Sequence, residues 1–136
     1  MSIEVAVRRL VDDKKLIHRP SSLVVLSARD LFVTPEIHAV AHPPFADTEL
    51  GVRQAALAAY FDAYCERNEM TVSQNPRKKP WDTMLARVDP PETQFWSMRI
   101  TDPEDSPGMR VLGGFCWTDG FVALTFDYRE KIGTDF

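Results

Sequence analysis

Cysteine is scarce in this chain, long apolar runs are missing, and neither sign of charge dominates; each lack removes a class of protein. The two cysteines, Cys65 and Cys116, stand far apart with no CxxC spacing, which leaves no redox pair or zinc ribbon to read. Cys65 falls in a helical pattern and Cys116 inside an apolar run, so both are expected as buried free thiols, with a disulfide as the alternative. No segment approaches the roughly 18 apolar residues of a membrane span. The opening MSIEVAVRRLVDD carries acids and arginines where a signal peptide would be apolar. A cytoplasmic protein with no membrane partner is the expectation.

A basic domain is also missing. The net charge is −4, and residues 1–75 hold eight Lys/Arg against ten Asp/Glu, numbers that residues 76–136 repeat. That argues against a general electrostatic grip on nucleic acid, which depends on neutralising phosphates, although a local patch is compatible with it. No GxGxxG, phosphate-binding loop or GxSxG occurs, and no Ser, Cys or His shows triad spacing. Nothing therefore implies a cofactor.

His38 and His42, in HAVAH, invite a metal reading. Between Pro35 and Pro43 the segment reads as a strand, where four rises of roughly 3.3 Å would hold the two rings about 13 Å apart. No glutamate follows the first histidine as a zincin requires, and no metal site is expected.

At 136 residues the chain is expected to form one domain. Residues 1–46 read as an extension with short strands, at 23–26, 31–33 and 37–41; residues 2–19 are compatible with strand or short helix. Residues 47–70 carry the clearest signal. Asp47 or Thr48 can cap a helix start, Glu49 suits its first turn, and Leu50, Leu57, Tyr60, Phe61 and Tyr64 recur at three- and four-residue steps. Arg53, Asp62, Glu66 and Arg67 are expected mostly off that stripe. Residues 71–93 form a connection with four prolines, the basic triplet Arg77, Lys78 and Lys79, and one helical turn expected near Trp81–Leu85.

Residues 94–131 read as a three-stranded antiparallel meander. In FWSMRI, Trp96, Met98 and Ile100 alternate with Phe95, Ser97 and Arg99. Two further runs meet at Asp119-Gly120, expected as a type I′ turn. Gly113-Gly114 in mid-strand points to a bulge or a close backbone approach. Arg110 shares a face with Leu112, Gly114 and Cys116, so its head is expected to snorkel to the rim unless that face is open. The fold class is α+β: a small twisted antiparallel sheet, with N-terminal strands added, packed on one long amphipathic helix.

The order of these parts resembles the RelE/ParE-like toxin superfamily, in its HigB-type, phage-related branch, over residues 48–131. Met98-Arg99 falls where that branch has Leu-Arg, and Met109-Arg110-Val111 where it has aromatic-Arg-Val. Arg129 and Lys131 follow the apolar run FVALTFDY at the place of a lysine cluster. The resemblance implies a ribosome-dependent mRNA endoribonuclease of a toxin–antitoxin or phage-derived locus, with an antitoxin protein and the ribosome as partners. Its members promote in-line attack of the 2′-OH on the next phosphate, chemistry that cations around the phosphate favour. Arg99, Arg110, Arg129 and Lys131 would be the clamp, Tyr128 the phenol in reach, and Arg77, Lys78 and Lys79 the RNA contacts.

The chain departs from the pattern in its acidity, in stopping at GTDF soon after the cluster, and in placing Asp127 and Glu130 beside the basic residues. The competing expectation is a non-catalytic module on the same scaffold that binds a protein partner, with its arginines solvated or paired with Asp102, Glu104 or Asp105. A homodimer is compatible with either.

Overall fold

The computed structural model describes residues 2–20, 29–66, 70–74, 83–88, 90–101 and 107–132, and only the backbone of Pro91, Lys131 and Ile132. The fold is α+β, and its sheet is larger than a meander. Among the described residues its seven strands are β1 (Ile17–His18), β2 (Asp30–Val33), β3 (Val72–Ser73), β4 (Leu85–Arg87), β5 (Trp96–Ile100), β6 (Met109–Trp117) and β7 (Gly120–Tyr128). They lie in the order β1-β2-β7-β6-β5-β4-β3. The meander β5-β6-β7 is antiparallel, but β2 joins β7 in parallel, with Leu31 opposite Phe121 and Val33 opposite Ala123. The sheet is mixed, and the N-terminal region supplies two of its strands.

Among the described residues, four α-helices accompany it: α1 (Ile3–Asp12), α2 (Pro35–Val40), α3 (Glu49–Cys65) and α4 (Arg129–Ile132). The ambiguous N-terminus is thus helical, started by Ser2, whose hydroxyl accepts from the Val5 N–H. The strand expected over 37–41 is a correction. That segment is α2, because Pro35 occupies the first helical turn, where its missing N–H costs nothing, and Thr34 caps it by accepting from Ile37 N–H. The expected strand at 23–26 lies outside the described residues. So do Trp81 and Asp82 of the expected helical turn, while Leu85 opens β4 instead.

The helix α3 follows its period. Thr48 accepts from the Gly51 N–H at 3.0 Å, and Leu57, Tyr60, Phe61 and Tyr64 are buried. Leu50 is exposed, whereas Arg53 and Asp62 are buried, which reverses the expected polarity at those three positions. The reason is steric phase: Arg53 stands four residues before Leu57 and seven before Tyr60, on the same face. The main core lies between α2, α3 and one face of the sheet, around Leu31, Ile37, Phe61, Met98, Val111 and Phe121. On the opposite face α1 packs Val7 and Val11 against Phe32, Trp117 and Val122.

The hairpin is present, but its turn is not the expected one. Trp117 pairs with Gly120, so Thr118 and Asp119 form the loop, and positive φ among the described residues occurs at Lys14, Gln94 and Gly108 instead. Gly120 is required for space: a Cβ there would sit 2.4 Å from the Trp117 indole nitrogen. The Gly113 expectation holds, since the β6–β7 register shifts between Leu112 and Gly113.

Candidate functional site

The register of the meander assembles the arginines. Arg99 lies opposite Arg110 across β5–β6, and Arg110 lies opposite Asp127 across β6–β7. Directly opposed residues share a face, so the three side chains form a row on the face away from α3. Arg129, one residue past β7, donates its backbone N–H to the Gly108 carbonyl at 3.0 Å and so stands at the same end of the sheet.

Charge links these groups. Burial, together with the nearby Arg99 and Arg129 guanidinium groups, pulls the Arg110 pKa down from its ordinary value to about 10. Burial and Arg129 lower that of Arg99. Arg99, Arg110 and Arg129 therefore lie near one another at this end of the sheet. Arg110 does not snorkel, however: it is 3% exposed, and its guanidinium turns back to donate to the Met109 carbonyl at 2.9 Å. The Arg129 Nε is buried with no hydrogen-bond partner among the described residues. A small cleft of about 120 Å³ lies against Arg110, Leu112, Thr125 and Asp127.

Among the described residues, Tyr128 is not brought there. Tyr128 is opposite Met109, on the core face, with its ring beneath the Arg53 guanidinium at 4.3 Å. Burial raises its pKa, and the neighbouring Arg53 offsets part of that rise. The Glu130 carboxylate takes two hydrogen bonds from Arg53, at 2.9 and 3.0 Å. Lys131 has its backbone in α4; its side chain, like Arg77, Lys78 and Lys79, lies outside the described residues.

Two features escape the sequence reading. Arg53 is one, a buried cation that also donates to the Gly108 carbonyl at 2.7 Å. Its spacing to Leu57 and Tyr60 was the available signal. The second is a cleft of about 450 Å³ against α3, bordered by His18, His38, His42, Arg19 and Asp62. Because 35–40 is helical, the two histidine rings are 5.1 Å apart rather than separated by a strand's length. Burial, His42 and Arg19 lower the His38 pKa. Arg19 and Asp62 pair at 3.1 Å within the same wall.

No helix among the described residues is long and apolar enough to cross a membrane. No protein-family model matches the chain, and comparison with curated proteins and with solved structures finds no significant match.

Proposed function

We propose that this protein is a RelE/HigB-like toxin that engages mRNA phosphate through Arg99, Arg110 and Arg129. The observation that carries the reading is the pairing of Arg99 with Arg110 across β5–β6, with Arg129 tied to Gly108 at the same end of the meander. Fixed cations around a phosphate stabilise the charge that builds during in-line attack by the 2′-OH. The β5–β6 register supplies that fixity for Arg99 and Arg110, and the tie from Arg129 to Gly108 supplies it for the third.

A second reading, a non-catalytic interaction module on the same scaffold, is favoured by one placement. Tyr128, the phenol that the toxin reading would use, sits on the opposite face of the sheet from Arg110. A clamp without that phenol beside it would bind phosphate and lack the proton-transfer group the toxin reading assigns.

Tightly controlled expression in bacteria separates the two. Wild type is compared with Arg99→Ala/Arg110→Ala at matched soluble levels, with cleavage of cellular mRNA mapped by primer extension. Growth arrest and new mRNA ends from wild type alone support the toxin. Normal growth and intact mRNA in both strains reject ribonuclease activity and leave the module.

A further inference from the structure

All three histidines of the chain border the same cleft against α3, and the function proposed above uses none of them. His38 lies in the last turn of α2, Ala41 caps that helix, and His42 follows the cap. Ile37 and Ala41 are both buried in the core, so the backbone carrying the two histidines is held from below. Their rings are tilted by 33° with centroids 5.1 Å apart.

That separation can be compared with what chelation demands. A metal sits about 2.0–2.1 Å from an imidazole nitrogen, hence about 3.2 Å from the ring centre, and a tetrahedral angle then places two ring centres about 5.2 Å apart. The observed spacing matches. We propose that His38 and His42 form a two-imidazole site for a divalent transition metal of the copper, nickel and zinc group. Imidazole ligands select these ions over magnesium and calcium, which prefer oxygen.

The remaining positions go to water. No group of three or more metal-ligating side chains occurs among the described residues. Asp62 is held by Arg19 at 3.1 Å, and His18 Nε2 lies 3.4 Å from Asp30. The facing wall of α3 presents Ala55, Ala58 and Ala59, small enough to leave room for bound water. His42 is exposed, which gives the ion a way in.

Calorimetric titration of the full chain with zinc or nickel chloride, and with magnesium chloride as the control, tests the site. His38→Gln, His42→Gln and His18→Gln are titrated beside wild type, each first shown to be folded by thermal unfolding without metal. Outer-shell partners alone are worth on the order of 10- to 100-fold in metal affinity, so loss of a ligand is expected to weaken binding at least that much. The expected result is one saturable zinc site per chain, weakened in the first two variants, kept in His18→Gln, and absent with magnesium. If His38→Gln fails to fold, the exposed His42→Gln decides alone. The proposal is overturned by no saturable binding, by binding that survives the His42 change, or by equal loss in His18→Gln.

Discussion

Arg99 and Arg110 face each other across β5 and β6, a pairing of like charges where sheets ordinarily set opposite ones. Directly opposed like charges are destabilising, and burial first, then the neighbouring Arg99 and Arg129, lower the Arg110 pKa. Asp127 lies opposite Arg110 on the other side, and the Met109 carbonyl takes one of its N–H groups. An anion at this end of the sheet would relieve the repulsion, and the relief would appear as stability.

Phosphate is therefore expected to raise the melting temperature above that in sodium chloride of equal ionic strength. At ten times the dissociation constant the linkage is worth about 1.4 kcal/mol, or roughly 3–6 °C for a chain of this size. Arg99→Gln/Arg129→Gln should remove the difference. Scanning fluorimetry of both proteins decides it: equal stabilisation of the two would mean that phosphate acts elsewhere.

Arg53 and Glu130 tie α3 to α4. The Arg53 guanidinium is 8% exposed, meets both carboxylate oxygens of Glu130, and lies over Tyr128. Removing the carboxylate strands a buried cation, while the half-exposed position of Glu130 softens the loss. Glu130→Ala is expected to destabilise by about 1–3 kcal/mol. Arg53→Met, which removes the charge but keeps the packing, should cost no more than Glu130→Ala. Urea unfolding of the two variants tests this; a larger loss in Arg53→Met would mean that the guanidinium's own hydrogen bonds outweigh its burial cost.

Helix α3 and the β6–β7 hairpin were legible because their signals are local: a 3.6-residue period in one, paired apolar runs in the other. The parallel pairing of β2 with β7 was not, since nothing in Leu31-Phe32-Val33 names a partner about ninety residues away. Proline misled at α2. Pro35 stops a helix from its interior but starts one at the first turn, and Thr34 ahead of it was the signal for the second case. For the candidate site, alternation put Arg99 and Arg110 on definite faces, and the register that made them neighbours was implied by the meander. Burial of Arg110 was hidden because it depends on what the tertiary fold lays over the sheet. The same alternation could have shown Tyr128 and Arg110 on opposite faces, being one residue out of step in paired strands.

Gly113 and Gly114 stand side by side with different tolerances. A Cβ on Gly113 would lie 1.9 Å from the Val122 carbonyl oxygen, a backbone atom that cannot move without breaking the bulge. On Gly114 it would meet the Gln94 carbonyl at 3.4 Å, ordinary contact. Gly113→Ala is expected to cost more than about 2 kcal/mol, in the range of overpacked cores, and Gly114→Ala less than about 1 kcal/mol. Chemical denaturation of both checks the contrast. Equal losses would show that the strand shifts freely at the bulge.

Cys65 gives stability a pH dependence with a definite sign. Its thiol is buried at the end of α3, donates to the Arg19 carbonyl, and has its pKa raised by burial from 9.0 to about 11. Between those values the unfolded chain ionises the thiol while the fold keeps it neutral, so the unfolded state sheds protons first and stability falls as pH rises. By pH 10 the loss amounts to about 1.4 kcal/mol. Arg110 acts in the opposite direction, because a cation with a lowered pKa releases its proton from the folded state first, but only near and above about pH 10. Unfolding in urea at pH 8, 9 and 10 under reducing conditions, compared between wild type and Cys65→Ala, isolates the thiol's part. Cys65→Ala should start from lower stability and lose less over that range, with a residual slope from Cys116 and from Tyr60, Tyr64 and Tyr128, whose pKa values burial also raises. Parallel curves for the two proteins would mean that Cys65 reaches solvent in the folded state.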